Sequence, residues 1–250
     1  MSDDTATAPV TGPEGATWEK EALIRVRGVT KIYRQGELEV PALRGVDLDL
    51  AEGEFTAMAG PSGSGKTTLL NMIGALDSPT EGTVTVAGHD AGRLGRGEAA
   101  DFRLDHVGFI FQAYNLVPVL TAYENAEFTL LLRGVPRDER RERVEGLLER
   151  VGLADMMDRR PPELSGGQQQ RVAIVRALAT HPDIVLADEP TANLDSGTSG
   201  ELLDLMLELN RRLETTFLFS THDETVIDRA RRVVRLLDGR VDRVKTRDSG

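Results

Sequence analysis

The amino-acid sequence predicts an α/β fold, and three observations carry that prediction. A glycine-rich string, GPSGSGKTT at Gly60 to Thr68, sits between a short, largely apolar stretch and an apolar-periodic run. A second unbroken apolar stretch, Ile184 to Ala187, ends in adjacent carboxylates, as a parallel strand covered on both faces does. Around these landmarks strand and helix patterns alternate, which is how helices come to pack on a largely parallel sheet.

The elements follow in order. Residues 1–20 hold few large apolar side chains and several Pro, Gly and Asp, so a disordered tail is expected there, ahead of one ordered domain over 21–245. The alternation at Leu23 and Arg25 and the run Leu43 to Leu50 predict strands, and Phe55 to Ala59 a buried strand feeding the glycine string. Leu69 to Leu76 reads as a helix stopped by Asp77-Ser78-Pro79, and Thr83 to Ala87 and His106 to Phe111 alternate as strands. From about Leu120 to Arg150 the period becomes helical, with Val144, Leu147, Leu148 and Val151 on one stripe and the ERRER run on the solvated face. Residues 113–163 thus interrupt the strand–helix alternation as an inserted helical subdomain.

Further on, LSGGQQQRVAIVRAL at 164–178 places a hydroxyl and two bare glycines before an apolar-periodic run, a helix N-terminus suited to an anion. Asp183 to Ala187 and Thr215 to Ser220 read as buried strands, Gly200 to Leu213 as an amphipathic helix. Arg232 to Leu237, Asp238-Gly239 and Arg240 onward predict a closing hairpin with an Asp-Gly turn.

The 250 residues can bury a large core within one domain. There are no cysteines, so disulfides and thiolate metal sites are excluded and a reducing compartment fits. A net charge of −11 argues against a nucleic-acid or anionic-lipid surface. No apolar run approaches the roughly 18 residues of a membrane span, and no charged-then-apolar leader is expected.

GPSGSGKT fits G-x-x-x-x-G-K-[ST], in which Gly60, Pro61, Ser62, Gly63, Ser64, Gly65, Lys66, Thr67 and Thr68 would wrap a nucleotide's phosphates. Glycines turn backbone N–H groups inward, Lys66 supplies a mobile charge, and the Thr67 hydroxyl can ligate Mg²⁺. Two carboxylates at a buried strand end are costly unless they face something positive, so Asp188 is the natural metal partner and Glu189 the group that polarises water. Gln112, after HVGFIF, could touch both metal and water, and His222, after FLFST, could donate to the γ-phosphate. Tyr33 could stack on adenine. His89, His106 and His181 have no such context and read as surface or core-edge residues.

GPSGSGKT, Gln112, LSGGQ, LADEP, NLD and the THD histidine occur here in the order of the ABC-type ATPases, which the chain resembles over about 23 to 245. Three longer strings, GPSGSGKTTLLNMIGALDSPTEGTV, FQAYNLVPVLTAYEN and LADEPTANLDSGT, look most like the macrolide-exporter and lipoprotein-release branch, with cell-division ATPases close behind. The resemblance implies a P-loop NTPase (RecA-like) core, an N-terminal antiparallel β subdomain and the inserted helical subdomain. It implies ATP and Mg²⁺ as cofactors, with Thr67, Gln112 and Asp188 at the metal and Glu189, His222, Lys66 and Gln112 in catalysis. It also implies a head-to-tail pair of chains, each ATP lying between the Gly60 loop of one and Ser165, Gly166, Gly167 and Gln168 of the other, with Asp195 reaching across. The implied partner is a separate transmembrane permease, four-span with a large external domain. It would hold the subunit on the inner, cytoplasmic face of the cell membrane, and the ATP-driven motion would pass to it through a groove near Ala113 to Tyr123. A division-type ATPase that drives a membrane partner without transport is the alternative.

Ala192 departs from the glycine usual in this branch, and with the chain ending soon after the hairpin no appended regulatory domain is expected. Other classes fit less well. A tandem ribosome-associated ATPase would carry two cassettes and a basic surface, and a chromosome ATPase would show sustained heptads. A GTPase would show N-K-x-D, and a non-enzymatic module would lack Lys66 or Glu189.

Overall fold

The computed structural model describes residues 22–36 and 38–247, and the tail expected over 1–20 lies outside the described residues. Alternating apolar positions build the first sheet. β1 (Ala22–Gln35) pairs antiparallel with β2 (Leu38–Ala51) on one side and β4 (Glu81–Val86) on the other, and the two-residue β5 (His89–Asp90) pairs antiparallel with β4 at the edge. Ile24 and Val26, Val46 and Leu50, and Val84 and Val86 point to one face and are buried, the period-two pattern of a sheet with one covered side.

The second sheet runs β10-β9-β3-β8-β7-β6, where β3 is Phe55–Ala59, β6 Val107–Phe111, β7 Ile184–Asp188, β8 Thr216–Thr221, β9 Arg232–Leu237 and β10 Arg240–Thr246. All its neighbours are parallel except the β9–β10 hairpin. β3 and β8 are buried along their whole length, as central strands with helices on both faces must be. The hairpin turns at Asp238 and Gly239, with φ of 48° and 76°, the left-handed pair that a two-residue turn between twisted strands requires.

The helices are α1 (Lys66–Ile73), α2 (Arg96–His106), α3 (Ala122–Leu132), α4 (Arg137–Arg150), α5 (Gly166–Leu178), α6 (Ser196–Leu213) and α7 (Glu224–Arg229). α3, α4 and two short 3-10 turns intervene between β6 and α5, although β6 and β7 are neighbours in the sheet, so the parallel core carries a helical insertion. Val144, Leu147 and Leu148 form the buried stripe of α4, Val151 continues it just past the helix end, and they join Ala126 and Leu130 of α3 and Val172 and Val175 of α5 in one core. A second core on the sheet's other face takes in α1 and the antiparallel sheet.

Several expected boundaries shift for identifiable reasons. α1 starts inside the glycine string, at Lys66, and stops at Ile73 because Gly74 caps it and Ala75 turns left-handed at φ 50°. His106 ends α2, and the strand begins at Val107. α2 escapes sequence patterning because it buries only Ala99 and Phe102. α6 begins at Ser196, earlier than Gly200, because Asp195 caps its first turn. The ERRER run is not merely a solvated face. Arg140 donates to Glu127 at 2.8 Å and to the Val135 carbonyl at 2.7 Å, and Arg143 reaches the Ala179 carbonyl at 3.2 Å, tying α4 to α3 and to the end of α5.

Candidate active site

The glycine string becomes a tight loop between β3 and α1. A Cβ on Gly60 would stand 2.2 Å from the Leu236 carbonyl oxygen, and one on Gly65, at φ 100°, 2.7 Å from that of Ala42. Only bare backbone fits there, and the hairpin turn braces the loop from outside through Gly239 N–H donating to the Ser64 carbonyl at 3.1 Å. Lys66 is 7% exposed and its Nζ donates to the carbonyls of Gly60 at 2.8 Å and Pro61 at 3.1 Å. Because α1 starts at Lys66, the amides of Lys66, Thr67 and Thr68 lie in its first turn without intrahelical acceptors, at the positive end of the dipole. Pro61, Ser62 and Gly63 form the exposed crest, and the buried Ser64 Oγ has no hydrogen-bond partner among the described residues. This is a cradle with donors in surplus, which suits a phosphate.

β7 delivers the carboxylates beside it. Thr67 Oγ1 lies 3.2 Å from each Asp188 carboxylate oxygen. Glu189 leaves the sheet at φ 47°, a left-handed conformation costing roughly 1–3 kcal/mol for such a residue, and its N–H donates to the Ser220 carbonyl at 2.9 Å. The twist turns its side chain away from Asp188. Glu189 Oε2 accepts from Thr221 Oγ1 at 3.3 Å, and Oε1 stands 2.7 Å from His222 Nδ1. One carboxylate therefore faces the loop hydroxyl and the other the β8 end.

Around this centre, Gln112 follows β6 and is exposed, and its carbonyl accepts from Asn193 Nδ2 at 2.8 Å. The Tyr33 hydroxyl donates to Asp77 at 2.9 Å, Lys31 Nζ donates to the same carboxylate at 2.5 Å, and that ammonium lies 5.0 Å from the Tyr33 ring centroid. Burial pushes the Asp77 carboxyl up, but hydrogen bonds from Lys31, Tyr33 and the Ser78 amide outweigh it and hold it below the usual range.

The second cradle forms a closed box. Ser165 caps α5, its Oγ accepting from Gln168 N–H at 3.3 Å while Gln168 Oε1 accepts from Ser165 N–H at 2.9 Å. Gly166 lies against the Tyr114 hydroxyl and Gly167 against Thr198. Asp195 caps α6 through the amides of Gly197 and Thr198, and the Thr198 bonds hold its carboxyl below the usual range. Within one chain the structure thus links Thr67 to Asp188 and Glu189 to His222, Lys66 bonds the carbonyls of its own loop, and Ser165 and Gln168 bond each other. Thr221, Lys31 and Asp77 escape sequence reasoning, since nothing local distinguishes them from ordinary turn and surface residues, while Asn193 of the NLD string proves to bond the Gln112 carbonyl. His106 proves to be paired, its Nδ1 2.6 Å from Asp183 and its ring centroid 4.9 Å from that of His89.

A hydroxyl and a carboxylate suit a hard cation such as Mg²⁺, which takes one or two carboxylates and completes its shell with substrate phosphates. Among the described residues no group of three or more His, Cys, Asp or Glu forms an all-protein metal cage.

A glycine cradle after one parallel strand, with carboxylates at the end of another, defines a phosphate-loop nucleotide hydrolase. The chain belongs to the ABC transporter family, whose model matches residues 43–192. It is 48% identical over 219 residues to an uncharacterised ABC transporter ATP-binding protein of Thermotoga maritima, covering 88% of this chain and 93% of that one. It is 50% identical to the lipoprotein-releasing system ATP-binding protein LolD of Anaeromyxobacter dehalogenans, covering 87% and 92%. The match to the macrolide export ATP-binding/permease protein MacB 1/2 of Paracoccus denitrificans, 48% identical, spans 88% of this chain and only 33% of that longer protein. Among solved structures, the dimeric post-hydrolysis state of an ATP-binding cassette bound to ADP and Pi is similar with a TM-score of 0.83 at 42% identity, covering 91% of this chain and all, 100%, of that one.

Proposed function

We propose that this chain is the ATP-hydrolysing subunit that drives a separate membrane permease, working as a head-to-tail pair. The observation that carries the reading is the convergence of Thr67 on Asp188 while Glu189 turns to His222. Lys66 and the first-turn amides of α1 hold the phosphates. Thr67, Asp188 and Gln112 would hold Mg²⁺, which would neutralise phosphate charge there. Glu189 accepts a proton from the attacking water, and His222 fixes that carboxylate and donates to the γ-phosphate. Tyr33 covers the adenine, its ring set by the bond to Asp77.

The second cradle explains the pairing. A chain that binds one ATP but carries two anion sites uses both only when Ser165 to Gln168 closes over the ATP of a second copy, with Asp195 at that boundary. No helix among the described residues is long and apolar enough to cross a membrane. The helical subdomain over 113–163 exposes Val117, Val119, Phe128, Leu131 and Leu132, an apolar surface for that partner. The partner is a four-span permease with a large external domain, and the subunit works on the inner face of the cell membrane. Relatives named for lipoprotein release and macrolide export support this reading. Two measurements test it: Mg²⁺-dependent ATP hydrolysis lost in Lys66→Ala, and a shift into the membrane fraction on co-expression with such a permease. Absence of both would overturn the reading.

A further inference from the structure

Arg176 lies in the last turn of α5, far along the helix from Ser165. α5 is pressed onto β6, where a Cβ on Gly108 would stand 2.3 Å from the Ala177 carbonyl. From this contact the Arg176 guanidinium passes the strand end and donates to two successive main-chain carbonyls, Tyr114 at 2.8 Å and Asn115 at 2.5 Å. Both acceptors are left-handed, with φ of 58° and 50°, and follow closely on Gln112. Among the described residues Arg176 has no carboxylate partner, and burial pushes its pKa down. A half-buried guanidinium spent on two carbonyls of a strained loop is expensive unless the loop's position matters. The same loop touches the other end of α5, because the Tyr114 hydroxyl lies 2.9 Å from where a Cβ on Gly166 would be.

We infer that Arg176 is a positioning residue for ATP hydrolysis: it latches the Gln112 loop onto α5, so that the helix forming the second phosphate cradle sets where Gln112 stands in the first. A nucleotide gripped at the N-terminus of α5 by one site then aligns the metal-facing amide of the other. Two donors in a planar fork suit this task, since they fix both the height and the rotation of the loop. The inference rests on the reading of Gln112 as a group facing metal and water.

The test is a double-mutant cycle in the full chain, with ATPase kinetics and thermal melts measured on every variant. Arg176→Met keeps the apolar stem and removes both donors. It should lower kcat roughly 10- to 100-fold, as misplacement of a reacting group does, with KM for ATP within about twofold of wild type. Arg176→Lys, able to reach one carbonyl, should recover part of the rate. In a Gln112→Ala background Arg176→Met should add no further loss, because it acts through Gln112. Full additivity would overturn the latch while leaving Gln112 in the site. An undiminished kcat in Gln112→Ala alone would overturn the reading of Gln112 and the latch with it. If Arg176→Met fails to fold, the cycle is run with Arg176→Lys, and the same outcomes decide.

Discussion

His222 Nδ1 stands 2.7 Å from Glu189 Oε1, while Asp188, one residue earlier, meets Thr67 Oγ1 at 3.2 Å. Two neighbouring carboxylates would repel in a shared site. The strand pleat and the left-handed turn at Glu189 send them to opposite partners, so one can hold a metal while the other stays available to water.

That division makes Glu189→Gln informative. The substitution keeps shape and its bond to Thr221 but removes the proton acceptor. ATP binding should persist while hydrolysis falls about 10²–10⁴-fold. Size exclusion should show ATP converting the variant from monomer to dimer, and a variant that turns over at the wild-type rate would remove Glu189 from the mechanism.

Asp77 is expected to tune both ATP affinity and acid stability. Its folded-state pKa is held below the ordinary 3.8, so its contribution is complete above the unfolded value and is lost as pH falls through the folded one. Asp77→Asn should therefore flatten the loss of stability below about pH 4 in urea titrations at a series of pH values. With its hydroxyl partner weakened, Tyr33 should also hold adenine less well, raising KM for ATP about two- to tenfold while kcat changes little. A wild-type KM would detach the Asp77–Tyr33 bond from nucleotide binding.

Two glycine-to-alanine changes should move stability in opposite directions. In Gly108→Ala the new methyl meets the Ala177 carbonyl at 2.3 Å, a backbone contact that can yield only by parting α5 from β6. A cost of about 1–3 kcal/mol follows from overpacking of this kind. Gly146 lies inside α4 with nothing within 4 Å of an added Cβ, so Gly146→Ala should stabilise by about 0.5–1 kcal/mol. Urea denaturation measures both, and equal signs would refute the packing assigned to Gly108.

The parallel core was legible because its strands are apolar on both faces and its turns carry glycine or Asp-Gly. α2 was not, since a helix burying two side chains has no stripe to read. The loop string and the strand-end carboxylates could be found from residue order alone. The left-handed backbone at Glu189 and Tyr114 could not, because these residue types rarely adopt positive φ. Arg140 reads as a solvated helix charge, yet it is spent on a carboxylate of another element and a main-chain carbonyl, and Arg176, to which the sequence assigns no role, bonds two main-chain carbonyls. Long side chains hide such roles until the elements they join are placed in space.

The shared site itself can be tested by complementation. Lys66→Ala disables the Gly60 loop. For the other cradle, Gly167→Asp is a poor choice, because a Cβ there meets Thr198 Cγ2 at 2.7 Å and would disturb the Asp195 cap of its own chain. Ser165→Asp is better. Ser165 is exposed, and aspartate still accepts from the Gln168 amide, so α5 keeps its cap while a like charge faces the incoming phosphate. Each variant alone should be nearly inactive. If Ser165 serves its own chain's ATP, a mixed pair has one defect in each site and stays inactive. If it serves the partner's ATP, both defects fall in one site, and the other combines the intact loop of the Ser165→Asp chain with the intact cap of the Lys66→Ala chain. The mixture should then regain ATPase activity, up to about half per heterodimer when the two sites act independently. Strong coupling between sites would mask turnover, so ATP-induced association of differently labelled chains is measured in parallel. With both variants folded, the absence of turnover and of mixed association would refute the shared site.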